Sequence, residues 1–342
     1  MSVFDETWLD DRQALTGADQ VLRRLAEAGA RLRRETADAW EPIGRLADLP
    51  RPRAVIAVGP ESRFIRGILE PFCPVPFVAW PASGLPGWVG ALDLVVVLAS
   101  AGAPAGLVSS VHEAARRGAQ VLIACPEVSV VAEQAASRST TVLPTNTGDP
   151  LAAAIVVLAG LNRMQLGPEV QPDLVADAMD LVAEDCSPFA DVSVNPAKDL
   201  AIALADSQPL VWGGSVIAAR ASRRLAEALR AASGRAALAA DADDLLPILD
   251  AASPRDPFAD PFEDVVPSDR RPTLVVLDDG TGDALVRAAQ TRLAAAAERN
   301  DVRVCLVAHR RGSDIERYAT LLQTGMFASV YFAVGLGRYL DI

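Results

Sequence analysis

A chain of 342 residues, 51% hydrophobic and 22% charged, is long enough for two α/β domains and too apolar to be disordered. Its formal charge of −12 speaks against nucleic acid and anionic membrane surfaces as partners, since both demand a basic face.

The N-terminus carries Asp5, Glu6, Asp10 and Asp11, the wrong charge for a signal peptide. The longest strictly apolar run, residues 151–159, is far short of the roughly 18 needed to span a bilayer. Cys73, Cys125, Cys186 and Cys305 are scattered with no C-x-x-C pair, which reads as buried reduced thiols in a cytoplasmic protein. Lys198 is the sole lysine. His112 and His309 are the only histidines, so candidates for proton transfer near neutral pH are few.

In chain order, residues 10–48 read as helix, with Val21, Leu25, Ala28 and Leu32 on one face. Short apolar runs at 54–59, 75–80, 93–99, 120–124 and 140–143 read as five strands of a parallel sheet covered on both faces. A helix over 105–118 ends on Gly118, and Asp149-Pro150 opens an apolar helix to about residue 161. A connection follows, with an amphipathic helix over 174–186 and an irregular stretch over 187–195. The pattern then recurs as strands at 209–214, 273–277 and 302–308 and helices at 216–232 and 284–300. The expected division is an N-terminal helical segment (1–50), a first α/β domain (51–166), a connecting helix and linker (167–205) and a second α/β domain (206–342). The second domain includes an acidic loop over 241–270.

In open parallel sheets ligands sit beyond the carboxyl ends of the strands. That rule selects Gly59-Pro-Glu-Ser62 and Ser100-Ala-Gly-Ala-Pro104 in the first domain. In the second it selects Gly213-Gly-Ser215, Asp278 to Asp283 and His309-Arg-Arg-Gly312. Backbone N–H groups and hydroxyls at such turns suit phosphate, although no Walker or dinucleotide motif is present. His112 reads as an exposed helix residue. Asp241, Asp243 and Asp244 lack the glycine and distal Glu of a calcium loop, so neither metal nor cofactor is expected.

Three strings carry a resemblance: Leu94-Val-Val-Val-Leu-Ala-Ser-Ala-Gly102, Asn195-Pro-Ala-Lys198, and Thr324-Gly-Met-Phe-Ala-Ser-Val-Tyr-Phe-Ala-Val-Gly335. With them the chain resembles the bifunctional phosphoglucose/phosphomannose isomerase family, built from two sugar isomerase (SIS) domains, and most of all its actinobacterial TobH-like branch. The resemblance covers residues 55–340. It implies two SIS-type α/β domains, a sugar phosphate or other carbohydrate derivative as ligand, and a homodimer. It places ligand contacts at Gly59, Ser62, Ser100, Gly102, Gly214 and Ser215.

The chain departs from the family at the chemistry. Its S-Y-S-G-N-T loop is here Ala99-Ser-Ala-Gly-Ala-Pro104. Glu61 stands in the G-x-G-G-S-G turn, and Asp149 stands near the family's arginine. The catalytic glutamate of the N-E-N-A-K stretch would fall near residues 231–235, which hold no carboxylate. Glu227 is the nearest substitute, and Asp243 stands about where the family has its histidine. The expectation is a degraded active site with weak or no isomerase activity. The alternative is an active aldose–ketose isomerase with Glu227 as base and His309 assisting ring opening. The apolar C-terminal helix bearing Phe327, Tyr331 and Phe332 fits either a dimer interface or an intramolecular core.

Overall fold

The computed structural model describes residues 3–100, 102, 104–252 and 270–338. The chain packs as two compact units, one of residues 28–178 and one of residues 1–27 with 179–342. Both are α/β, with parallel sheets flanked by helices.

The 28–178 unit opens with α3 (Ala28–Arg45), preceded in the chain by α1 (Arg12–Thr16) and α2 (Asp19–Ala26), which belong to the other unit. Its strands are β1 (Val55–Val58), β2 (Phe77–Ala79), β3 (Leu94–Leu98), β4 (Gln120–Cys125) and β5 (Thr140–Pro144), all parallel in the order β2-β1-β3-β4-β5. These runs form strands because both faces are covered, so alternation gives way to continuous β-branched sequence. One face, with Ile56, Val58, Val95, Val97, Val121 and Ile123, packs on Leu107 and Val111 of α5 (Ala105–Arg116) and Val131 of α6 (Val130–Ala135). The other face is covered by α7 (Pro150–Arg163), which α3 packs against in turn. The expected helix start at α7 is realised: Asp149 accepts from the Leu151 and Ala152 amides at 3.0 and 3.2 Å, ahead of Pro150. A short α4 (Ser62–Leu69) joins β1 to β2.

In the second unit, α8 (Pro172–Asp185), which crosses the boundary, and α9 (Pro196–Ala203) lead into β6 (Gln208–Gly213). Then come α10 (Val216–Ser233), β7 (Leu238–Ala239), α11 (Ala242–Asp250), β8 (Pro272–Asp278), α12 (Ala284–Arg299), β9 (Arg303–Ala308) and α13 (Asp314–Gly335). The sheet is parallel with order β7-β6-β8-β9, the first four positions of the other sheet without its fifth. Leu210, Trp212, Leu274 and Val276 pack on Leu245 and Leu249 of α11 and Leu293, Ala296 and Ala297 of α12. The helix α13 opens on a reciprocal capping box between Ser313 and Glu316 and packs against α10 and α9.

Two expectations are corrected. The continuous helix over 10–48 is broken after Thr16 and again at Glu27, giving α1, α2 and α3. The first residues of the acidic loop over 241–270 are helical as α11, because the aspartates sit in its first turn, where the helix dipole favours them; residues 253–269 lie outside the described residues. Of the two roles open to the C-terminal helix, Phe327, Tyr331 and Phe332 serve the intramolecular core, since all three are fully buried within the chain.

Candidate functional site

The strand orders place a topological switch point between β1 and β3 in one unit and between β6 and β8 in the other. Gly59, Ser62, Ser100 and Gly102 gather at the first. Gly59 takes φ +110°, and a Cβ there would lie 2.4 Å from the Leu98 carbonyl oxygen, so only glycine lets the two strand ends approach this closely. Ser62 begins α4 and is buried, and Ser100 at the end of β3 is buried too. Glu61, also buried, accepts the Phe64 and Ile65 amides through its carbonyl and so turns the chain into α4. Gly102 takes φ +120° with open space around its α-carbon. Beside β1, the Trp80 indole N–H is a buried donor without a hydrogen-bond partner among the described residues, as is the Thr145 hydroxyl beyond β5. Motif reading passed over both, although their place at strand carboxyl ends was visible.

At the far end of this sheet the charge reversal at Asp149 is answered within the unit. Arg31 of α3 donates to its carboxylate from Nε at 3.1 Å and Nη2 at 2.8 Å. One helical turn on, the fully buried Glu35 accepts from the Asn146 amide at 2.8 Å, the Thr147 amide at 2.7 Å and the Thr147 hydroxyl at 2.5 Å. A turn whose free N–H groups suit an anion is thus already filled by a side chain of the protein.

The second switch point is filled likewise. Ser215 caps α10, and its hydroxyl accepts from the Ala218 amide and donates to Asp279 Oδ2 at 2.6 Å. Asp279 is only 4% exposed; its other oxygen accepts from the Thr281 amide at 3.2 Å, and Arg317 holds its carbonyl at 2.9 Å. A Cβ on Gly214 would meet Val286 at 2.3 Å and the Trp212 ring at 2.7 Å, so the glycine serves packing at this turn. Next to it, Asp278 accepts from Arg310 Nε and Nη2 at 3.0 and 2.5 Å.

The two candidate acid–base residues stand apart from these turns in their bonding. Glu227 is exposed on α10, paired with Arg224 at 3.0 Å, and lies twelve residues from Ser215, about 18 Å along a helix rising 1.5 Å per residue. The His309 amide donates to Asp278, but its ring turns to α13, with Nε2 2.9 Å from Thr324 Oγ1. That hydroxyl spends its own proton on the Thr320 carbonyl, which leaves Nε2 of His309 as the donor in the pair. Burial holds its pKa below the usual imidazole value, with Asp185 opposing weakly. His112 lies on α5. Among the described residues no cluster of His, Cys, Asp or Glu could hold a metal, and Asp243 and Asp250 form ion pairs with Arg292 and Arg299 of α12.

A groove of about 620 Å³, found only through the fold, runs between α1–α2 and the turn at Pro188–Phe189. Behind it Lys198, fully buried, donates to Asp10 at 2.7 Å and to the Pro188 and Ala190 carbonyls at 3.1 and 2.8 Å. The Asn195-Pro-Ala-Lys198 string is therefore a structural tie: Asn195 caps α9 and Lys198 anchors the preceding turn to the N-terminal arm.

Residues 193–338, less than half of the chain, match the family described as bacterial phospho-glucose isomerase C-terminal SIS domain. No curated protein matches the sequence. Similar solved structures include the tagatose-6-phosphate ketose/aldose isomerase of Escherichia coli, with TM-score 0.63 and 14% identity over 97% of this chain and 90% of that one. A glucose-6-phosphate isomerase like protein from Thermus thermophilus gives TM-score 0.51 and 15% identity over 89% and 92% of the two chains. The C-terminal domain of glucosamine-fructose-6-phosphate aminotransferase from Francisella tularensis gives 0.59 and 11% over 90% and 96%. At such identities the likeness is one of fold: the chain has SIS-type α/β architecture similar to that of phosphosugar isomerases.

Proposed function

We propose that this protein belongs with the double-SIS phosphoglucose/phosphomannose isomerases, in their TobH-like branch, and binds a phosphorylated sugar or related carbohydrate derivative with little or no isomerisation. The observation that carries the reading is the contrast between the switch points. The β6–β8 turn is occupied by the buried Asp279 carboxylate, which would repel a sugar-phosphate dianion. The β1–β3 turn also holds a buried carboxylate, Glu61, but keeps the Ser62 and Ser100 hydroxyls and the open backbone at Gly102, with the buried Trp80 donor at the end of the neighbouring β2. Loss of chemistry is supported by Glu227, whose carboxylate is committed to Arg224, and by His309, whose Nε2 proton is committed to Thr324. The four cysteines are free thiols, as a reducing cytoplasm favours.

Thermal shift with glucose 6-phosphate, mannose 6-phosphate and fructose 6-phosphate tests the binding. A ligand at about 100 times its Kd adds about 2.7 kcal/mol of stability. The shift is expected with at least one sugar phosphate and lost in Ser100→Asp. No shift with any of the three, or one that survives Ser100→Asp, overturns the site. A coupled assay tests the chemistry: turnover abolished by Glu227→Gln would establish the active isomerase instead.

A further inference from the structure

At the amino ends of its strands the 28–178 unit carries two adjacent hollows, at the opposite end of the sheet from the β1–β3 turn. A strand the length of β4 rises about 20 Å between the two ends. The larger hollow, about 280 Å³, is lined by Arg51 ahead of β1 and Arg163 at the close of α7. The smaller, about 170 Å³, reaches from Leu46 to the first residues of β4 and β5 and has Arg138 on its wall. Leu49 lines both.

The charge here is opposite to that of the chain. In a protein of net charge −12, the two linings hold three arginines and no carboxylate. None of the three has an ion pair or a side-chain hydrogen bond among the described residues, whereas Arg45 and Arg53, close by in the chain, are paired with Glu41 and Asp93. Nor is Arg163 needed to close α7, because the Gly160, Leu161 and Asn162 carbonyls already accept the Met164, Leu166 and Gln165 amides.

A second, independent observation is a polar group that the chain leaves unsatisfied. The register sets Leu94 beside Gln120 and Leu122 beside Thr141, so these four side chains share one face of the sheet. Leu94 and Leu122 are buried. Gln120 Oε1 is buried too, on the wall of the smaller hollow, with no hydrogen-bond partner among the described residues. An acceptor left unmade in this way costs stability and marks a place for a donor.

We propose that the paired hollows are a second ligand site, for a nucleoside monophosphate. Arg51 and Arg163 take the phosphate, and Gln120 reads the polar edge of the nucleobase, which lies against Leu46, Leu49 and Leu94. Guanidinium groups match phosphate oxygens with paired N–H donors. A glutamine amide sets a donor beside an acceptor, the pattern that complements a base edge. Inorganic phosphate or a ribose phosphate would engage the arginines and leave Gln120 unpaired. The site is separate from the sugar-phosphate site proposed above and does not depend on it.

Calorimetric titration of the full chain with AMP, GMP, CMP and UMP, and with ribose 5-phosphate and inorganic phosphate, tests it. At least one nucleotide is expected to bind about ten times more tightly than ribose 5-phosphate, or better. Arg51→Gln combined with Arg163→Gln should weaken that nucleotide at least about tenfold. Both arginines are exposed, so the variant keeps its fold, checked by melting temperature. Gln120→Leu should remove the nucleotide's advantage over ribose 5-phosphate. Absence of nucleotide binding, ribose 5-phosphate bound as tightly as every nucleotide, or a nucleotide affinity indifferent to the arginine pair or to Gln120→Leu would each overturn the proposal.

Discussion

His309 is the residue in which the sequence and the structure differ most in meaning. Its position at a strand end, next to two arginines, selects it as a proton carrier, whereas its ring is a half-buried donor to Thr324 that ties the β9 exit to α13. The consequence is a pH dependence of stability rather than of turnover. Burial lowers the folded-state pKa, so below about 6.5 the unfolded chain binds the proton that the folded chain refuses. Stability from this group is therefore complete above about 6.5 and declines as pH falls toward the lowered folded value. The decline has a limiting slope of about 1.4 kcal/mol per pH unit. Urea midpoints at pH 7.5 and 5.5 should differ less in His309→Gln than in the wild type; an unchanged difference would mean that the imidazole is not held neutral.

Among the elements, α3 has the largest unadvertised role. Its Arg31 and Glu35, one turn apart, hold the turn between β5 and α7, with Glu35 alone accepting three hydrogen bonds from Asn146 and Thr147. Glu35→Gln sets an amide N–H₂ against donors that need an acceptor. It should cost about 2 kcal/mol, read from the denaturation midpoint, while a neutral result would show that the turn relaxes to water. The strands at this scale were legible because a doubly covered parallel sheet writes itself as continuous apolar runs, and the hydroxyl-bearing turns followed from the strand ends. The breaks in the N-terminal helix were not: Val21, Leu25, Ala28 and Leu32 keep helical spacing straight through Glu27, which is neither glycine nor proline. The short α6, α9 and α11 were missed because six to nine residues carry too little periodicity, and α11 also contains Pro247. What fills the turns was hidden for another reason. Ser215 and Asp279 are 64 residues apart and Glu35 and Thr147 112 apart, so no local pattern connects them.

For the molecule as a whole, compact packing cuts the chain at 27/28 and 178/179, so one unit is continuous and the other is assembled from both ends of the sequence. The continuous unit has its own five-stranded sheet, two covering layers and capped helices, and its α3–β5–α7 ties are internal. Nothing in that list requires the other unit's residues. A fragment of residues 28–178 should therefore fold alone and melt cooperatively. A calorimetric enthalpy of about 100 kcal/mol near 60 °C is expected for about 150 residues at roughly 0.7 kcal/mol each. The complementary unit cannot be obtained by simple truncation, because its arm over 3–27 is fixed to α13 through the Asp5 amide to the Gly335 carbonyl at 2.7 Å and Phe4 against Phe332. Deleting that arm should lower the calorimetric transition of its own unit and leave the one shared with the 28–178 fragment in place. A fragment that melts without a heat-absorption peak, or an arm deletion that shifts both transitions equally, would mean that the two units fold as one.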